Sequence, residues 1–566
     1  MPSLRGHLTK RRKNMKKSNL LKKAVSVLLV ASALAGCGSS ASATTAAPAA
    51  AGTETSEAAT EAASSESSAE PGTITMAMVS AWDSIIPFDT TSSYSDAVLD
   101  LIYDKLVYLK QDGTYEPRLA DKWSMSDDNK VLTVHLNENA KWQDGEPVTA
   151  DDVVFTMQVY NSPSAAVVRQ NNVSPFAGFK EGDDSLQVKA VDEHTVEMTC
   201  AEPTNMDFLF FIKFRDIYIL PKHLLGDTPY ADIRNNSYWE KPIGSGPCIY
   251  ESQISGERME FKANKDYYLK TPQWDRFVVK VVATPSLLSG LMNDEIDILA
   301  GNVASLQLSD WDMAKQQQNL TCVSTESVGY QYMAINTEKD YLPPKVRQAI
   351  DMAINRDAIV SGLLKGEGEP AFGPFATSHK YYDDVVNVGY NPEKAKELLA
   401  EAGWDGSHEL VFSVPTGNSI REQAAVIIQQ NLQEIGIKTK IESADFATHL
   451  TKVREGNYDL GLIGSGGSPD PSECVINFKP DHINNFSHLS DWTIYNTGAE
   501  GEHAFSFEDR KVNYDNYQEL LVEQVPFCFL YFQNNLFAYN NRIGNVKDNQ
   551  DYSQLNRDVW NWTIEK

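Results

Sequence analysis

Between Gly38 and Glu70 the chain holds only small, polar and acidic residues, with no aromatic and no branched aliphatic side chain. Such a stretch buries too little apolar surface to offset the entropy of ordering it, so it reads as a disordered linker. As a flexible coil its 33 residues reach roughly 30 Å. Folding is therefore expected to begin near Gly72, and roughly five hundred residues follow. A single core stops growing well below that length, so two or more domains are expected.

The segment ahead of the linker says where the chain is held. From Met1 to Lys22 it carries Lys and Arg but no acid, and Ala24 to Ala35 (AVSVLLVASALA) is almost wholly apolar. That run is too short to cross about 30 Å of hydrocarbon and has the layout of a signal peptide over residues 1–36. It ends in Leu34-Ala35-Gly36-Cys37. A small residue before Cys37 suits cleavage there, leaving Cys37 as a lipidated N-terminus that tethers the chain to the extracytoplasmic face of the cell membrane without embedding it. Lys13-Asn14 after Arg11-Arg12 speak against a twin-arginine route, and Met15 opens a complete basic segment of its own, so either Met1 or Met15 serves as the start.

Removing residues 1–36, with nine Lys/Arg and no acid, takes the formal charge from −27 to −36. A surface this acidic repels phosphate backbones, so no nucleic-acid partner is expected. Cys200, Cys248, Cys322, Cys474 and Cys528 are widely spaced, odd in number and without a C-x-x-C, which indicates neither a disulfide framework nor a metal site. They read as small buried residues.

The patterning is mixed α and β. Lys130 to Leu136 alternates with Leu132, Val134 and Leu136 on one face, as a half-buried strand does, leaving His135 as a surface or pairing residue. Thr149 with Asp152 forms a capping box, Asn391-Pro392 starts a helix that Gly403 stops, and Val346, Ala349, Ile350, Ala353 and Ile354 recur at helical spacing. Ser419-Ile420-Arg421-Glu422 reads as a second capping box, with Gly436 ending that helix. A strand through Ile437, Thr439 and Ile441, a helix near His449 to Glu455 and a strand Tyr458 to Ile463 complete an α/β layer. Gly464-Ser465-Gly466-Gly467-Ser468-Pro469-Asp470-Pro471 follows that strand, where open α/β sheets place ligands.

Several blocks together resemble the solute-binding proteins of peptide-type ABC importers, the oligopeptide-, dipeptide- and nickel-binding family. They are Glu116-Pro117-Arg118-Leu119-Ala120 through Trp123, then Lys141-Trp142-Gln143-Asp144-Gly145-Glu146-Pro147-Val148-Thr149-Ala150-Asp151-Asp152-Val153, Ile243-Gly244-Ser245-Gly246-Pro247, and Tyr390-Asn391-Pro392 to Trp404. Trp123 and Trp142 read as core residues, and Gly244-Ser245-Gly246 lacks the lysine and spacing of a phosphate loop. The resemblance implies an α/β, two-lobed fold with an extra β-rich domain and a hinge. Lobe I would comprise residues 73–116, 241–326 and 533–566, the extra domain 117–240 and lobe II 327–532, with residues 37–72 as lipidated linker.

It further implies a ligand enclosed between lobes, captured by a monomer and passed to the membrane permease subunits, with no cofactor and no catalytic or metal site. Two segments of such proteins pair with a peptide main chain as added strands. Here they correspond to about Thr91-Ser92-Ser93-Tyr94 and to Gly464, Ser465, Gly466, Gly467 and Ser468. Where the family often reads G-W-x-x-D-x-x-D-P, with the first aspartate on the peptide amine, this chain is one residue shorter, and that position falls on Gly467 or Ser468. Either another acid (Asp83, Asp89, Asp96 or Asp470) takes the amine, or the ligand has none there. Trp82, Tyr94, Phe375 and Trp492 are the aromatic candidates to line the pocket. An oligopeptide is the leading ligand, an oligosaccharide or other polar small molecule the alternative. A secreted hydrolase is disfavoured, since neither G-x-S-x-G nor H-E-x-x-H occurs near these residues.

Overall fold

The computed structural model describes residues 72–110, 114–179, 186–467, 470–546 and 558–565. The signal segment, Cys37, the linker and Ser468 lie outside the described residues.

Two large sheets carry the architecture. The first has seven strands in the order 320–325, 535–540, 298–299, 73–78, 276–281, 258–263, 248–254. Its central strand, Thr73–Met78, runs parallel to both neighbours and is buried at Ile74, Met76, Ala77 and Met78. The second has six strands in the order 368–370, 527–533, 330–335, 460–465, 409–415, 438–444. A smaller four-stranded sheet (120–125, 131–136, 195–199, 188–190) comes from the segment between the 73–78 and 248–254 strands of the first sheet. The 131–136 strand turns Leu132, Val134 and Leu136 inward as the alternation requires, while His135 stays exposed with Thr195 Oγ1 3.2 Å away.

Packing follows from which faces are apolar. Leu132, Val134, Val196 and Met198 of the small sheet join one continuous core with Ile74, Phe261 and Phe277 of the first sheet. The second sheet is apolar on both faces and has a separate core on each. Helices Pro344–Ala353 and Ser419–Glu434 cover one, and helices Phe446–Arg454 and Phe507–Gln524 the other. The chain passes between the two large sheets twice, from Thr325 to Tyr330 and from Gln533 to Asn535.

The sequence blocks are structural pins. The Gln143 amide donates to the carbonyls of Gly246 (3.1 Å) and Cys248 (2.9 Å) and accepts from Gly244 N (3.0 Å). A β-carbon on Gly244 would collide with the Ile102 carbonyl, and one on Gly246 would lie 2.6 Å from the Leu101 carbonyl, so glycine is required where this turn meets the 93–102 helix. Arg118 is fully buried, pairs with Glu116 (2.6 Å) and Asp558 (2.9 Å), and lies against the rings of Tyr108 and Trp560. It ties the start of the small domain to the C-terminal segment. Trp142 is buried with its indole N–H 3.4 Å from Asp152, whose carboxylate closes the capping box at Thr149. The second expected box moves by one residue: Asn418 is the N-cap, accepting from Arg421 N at 2.9 Å, while Glu422 binds Gly417 N at 2.8 Å. Asn and Ser cap equally well, and the adjacent Asn took the role. The five cysteines after Cys37 are free thiols, four of them buried.

Candidate ligand site at the ends of the sheets

In the second sheet the strand Glu409–Pro415 lies between two parallel neighbours, Lys438–Ala444 and Leu460–Ser465. Helix Ser419–Glu434 leads from it to one neighbour across one face, and helix Phe446–Arg454 leads on to the other across the opposite face. Right-handed crossovers going opposite ways must leave by opposite faces. This is a topological switch, and open α/β sheets place their ligand crevice at such a switch, here beyond the carboxyl ends of the 409–415 and 460–465 strands.

Gly464, Ser465, Gly466 and Gly467 lie at and just past the carboxyl end of the 460–465 strand. Gly464 pairs with Gln331 and Ser465 with Tyr330 across the 330–335 strand. Gly467 has φ +66°, and a β-carbon there would collide with the Val328 carbonyl, so this loop lies directly on the 325–330 passage between sheets. Arg421 stands beneath Gly464: its Nε and Nη2 donate to Gln331 Oε1 at 3.0 and 2.8 Å. Burial pulls this guanidinium below its ordinary value, with the tyrosines at 531 and 332 only partly opposing.

The other expected site residues fall differently. Trp82 follows the carboxyl end of the 73–78 strand and donates its indole N–H to Gln253 (2.8 Å). Ser92 stands at the N-cap position of helix Ser93–Ile102 without a side-chain capping bond, so Ser93 and Tyr94 lie in its first turn. This corrects the expectation that Thr91 to Tyr94 pairs with a ligand as a strand: at Ser93 and Tyr94 the backbone is helical and cannot form a ladder. Phe375 is 3 % exposed, stacked on His379 (centroids 4.9 Å apart) and edge-on to Tyr514, which makes it core. Trp492 is 41 % exposed beside Tyr495, ahead of helix Thr493–His503. Thus Gly464 to Gly467 come together at the end of the 460–465 strand, whereas Phe375 packs inside and no described contact joins Trp492 to them.

Among the acids considered for an amine, three are already paired. Asp89 meets Arg234, Asp96 lies 3.3 Å from Arg169, and Asp470 lies 2.8 Å from Arg510. Asp83 is different. Burial alone would raise its pKa, but the hydroxyls of Ser95 and Thr90 and nearby backbone amides outweigh it and hold the carboxyl below its usual range. Among the described residues it has no ion-pair partner.

A Ser–His pair does occur, at Ser413 Oγ and His449 Nδ1 (2.9 Å), but both side chains are completely buried. Burial pushes His449 down to about 4, with Arg421 adding to the effect, so the ring is neutral and the hydroxyl has no path to a substrate.

A second polar cluster joins the small domain to the loop beyond the crevice. Arg510, 1 % exposed, donates to Asp470 (2.8 Å) and to Asp207 (3.3 Å), while Tyr115 donates to Asp207 at 2.6 Å. Arg215 pairs with Glu473 (3.0 Å), and the Asn205 amide donates to the Ala504 carbonyl (2.5 Å). Burial, with Asp470 adding to it, raises Glu502 to about 7. None of these partners is local in sequence; Asp207 and Arg510 are 303 residues apart.

A family model described as bacterial extracellular solute-binding proteins, family 5 Middle, matches residues 114–485. The chain belongs to this family. Family 5 relatives include the oligopeptide-binding protein AppA of Bacillus subtilis, 27 % identical over 515 residues, 84 % of this chain and 89 % of AppA. Di/tripeptide-binding protein 1 of Pseudomonas aeruginosa is 28 % identical over 470 residues, 77 % of this chain and 84 % of its own length. Among solved structures, the substrate-binding protein CtaP of Listeria monocytogenes has the same fold, with TM-score 0.78 at 23 % identity, covering 88 % of this chain and 100 % of that one. The family 5 fold therefore holds for the chain, and it is an extracytoplasmic solute-binding protein.

Proposed function

We propose that this chain is the receptor of an ABC importer that captures an oligopeptide between two lobes and hands it to the membrane permease, without catalysis. The observation that carries the reading is family 5 membership with relatives named for oligopeptides and for di- and tripeptides, over most of their length. The crevice at the switch in the second sheet supports it, because two short passages between the sheets permit hinged closure over that edge. We assign lobe I to residues 73–116, 241–326 and 533–566, the extra domain to 117–240 and lobe II to 327–532. The ligand segments are Gly464 to Ser468 and the Trp82 to Tyr94 region. Lipidated Cys37 would hold the monomer at the extracytoplasmic surface.

A second reading is a polar solute without a free amine. It is favoured by the arginine partners of Asp89, Asp96 and Asp470 and by the missing acid at Gly467. Incubation with a defined peptide library followed by mass analysis decides among these. Retained, intact peptides are expected; cleaved products would establish a hydrolase, and no retention would move the ligand to the second reading.

A further inference from the structure

Buried and half-buried arginines in this chain are matched by acids: Arg118 by Glu116 and Asp558, Arg356 by Asp351, Arg510 by Asp470, Arg542 by Asp297. Arg347 lacks an acid but spends its Nε and Nη1 on the carbonyls of Gln524 and Leu342. Arg421 follows neither pattern. Among the described residues no carboxylate lies within ion-pair distance of it, and two of its nitrogens share one neutral acceptor, Gln331 Oε1. Burial already disfavours its charge. A half-buried guanidinium whose described side-chain partner is one neutral acceptor holds its charge less favourably than one in water, and a bidentate anion offsets that.

Its place makes the gap meaningful. Arg421 is in the first turn after the 409–415 strand, at the switch crevice, beside Gly464 of the neighbouring strand. A β-carbon on Gly464 would stand 2.9 Å from Arg421 Nη2 and 2.5 Å from Gln331 Nε2, so the bare glycine gives these two side chains their room.

We infer that Arg421, positioned by Gln331 beneath Gly464, anchors a carboxylate of the bound solute, so that the site selects its ligand by an acid group. This rests on the reading of the chain as a peptide receptor and adds which group of the peptide is recognised. The carboxylate is either the peptide C-terminus or a Glu or Asp side chain.

The test uses synthetic tetrapeptide libraries with a free C-terminal acid or a C-terminal amide, each made with and without Glu, added to the purified mature chain and to its Arg421→Gln and Arg421→Lys variants. Wild type is expected to bind carboxylate-bearing libraries at least about tenfold more tightly than the Glu-free amide library. Arg421→Gln should lose that preference at an unchanged melting temperature, and Arg421→Lys should keep part of it. Preference for the Glu-free acid library assigns the C-terminus; equal binding of the Glu-containing amide library assigns a side chain. Equal binding of the Glu-free amide library by wild type, or a preference that survives Arg421→Gln, overturns the inference. If no library binds, the peptide reading itself has failed, and malate, citrate and glucuronate take over as probes. Thermal stabilisation of wild type but not of Arg421→Gln, absent with their methyl esters, then retains the anchor, and no stabilisation overturns it.

Discussion

Replacing Asp207 with Asn and Arg510 with Met separates a closure contact from a fold element within one cluster. Arg510 is 1 % exposed and holds Asp470, itself 2 % exposed, at 2.8 Å. Removing the guanidinium leaves this buried carboxylate without its cation, with Ser472 N and Oγ still donating to it, so Arg510→Met should destabilise the fold by about 3 kcal/mol. Asp207 is 30 % exposed at its side chain and lies 3.3 Å from Arg510, across from the small domain to the 470–510 region. Asp207→Asn leaves the Arg510–Asp470 pair intact and removes a half-solvated contact of about 1 kcal/mol. That energy belongs to the meeting of the two surfaces. Asp207→Asn should therefore weaken peptide binding about fivefold, mainly through faster release, and shift the urea midpoint little. Urea unfolding and stopped-flow dissociation of one bound peptide measure the two effects. If Asp207→Asn lowers stability as much as Arg510→Met while leaving release unchanged, the cluster is part of a single core and closure does not act through it.

Other consequences concern the anchor, the amine and pH. Cys37→Ser should abolish acylation and leave the chain unprocessed or released, and a mutant that stays membrane-bound after high-salt washing with its signal cleaved would refute lipidation. With no acid at Gly467, free-amine and N-acetylated forms of a bound peptide should differ by less than about tenfold, or about 1.4 kcal/mol, in titration calorimetry, and Ser468→Asp should then favour the free amine. Strong rejection of the acetylated form by wild type would mean that another acid, with Asp83 first in line, holds the amine. Glu502 is raised from 4.5 to about 7, so the folded state keeps a proton that the unfolded state loses. Its contribution makes stability fall as pH rises from about 4.5 to 7, by at most about 3 kcal/mol. His449, lowered to about 4, has the opposite slope between about 4 and 6.5, so the difference between wild type and Glu502→Gln is the quantity to measure. A flat difference profile would show that Glu502 is solvated.

Much of the fold was legible because the recognisable blocks are the places where backbone must meet backbone. Gln143, Gly244 and Arg118 are fixed by turns and buried partners, so their pattern announces the architecture and says little of the ligand. The α/β succession of the second sheet was legible too, from a helix, a strand, a second helix and a strand ending in a glycine-rich run. What local patterns could not show was anything assembled across the chain. Arg421 read as the third position of a capping box, and nothing near it in sequence announced Gln331, 90 residues earlier. Phe375 read as a pocket aromatic because its burial depends on Tyr514, brought by a helix far along the chain. The helical start at Ser93 did have a local signal, in Ser92 at the N-cap position, Asp96 in the first turn and the apolar run Val98, Leu99, Leu101 and Ile102. The correspondence with a strand-like segment in relatives outweighed it, and the local chemistry was the better guide.

Native mass spectrometry of the mature chain, purified from its source membrane without denaturation, asks the central question directly. A population carrying one intact peptide per chain, released on unfolding and rebound on refolding, is the expected result. A chain that carries a sugar or another amine-free solute, or that stays empty and ignores added peptides, would contradict a peptide receptor.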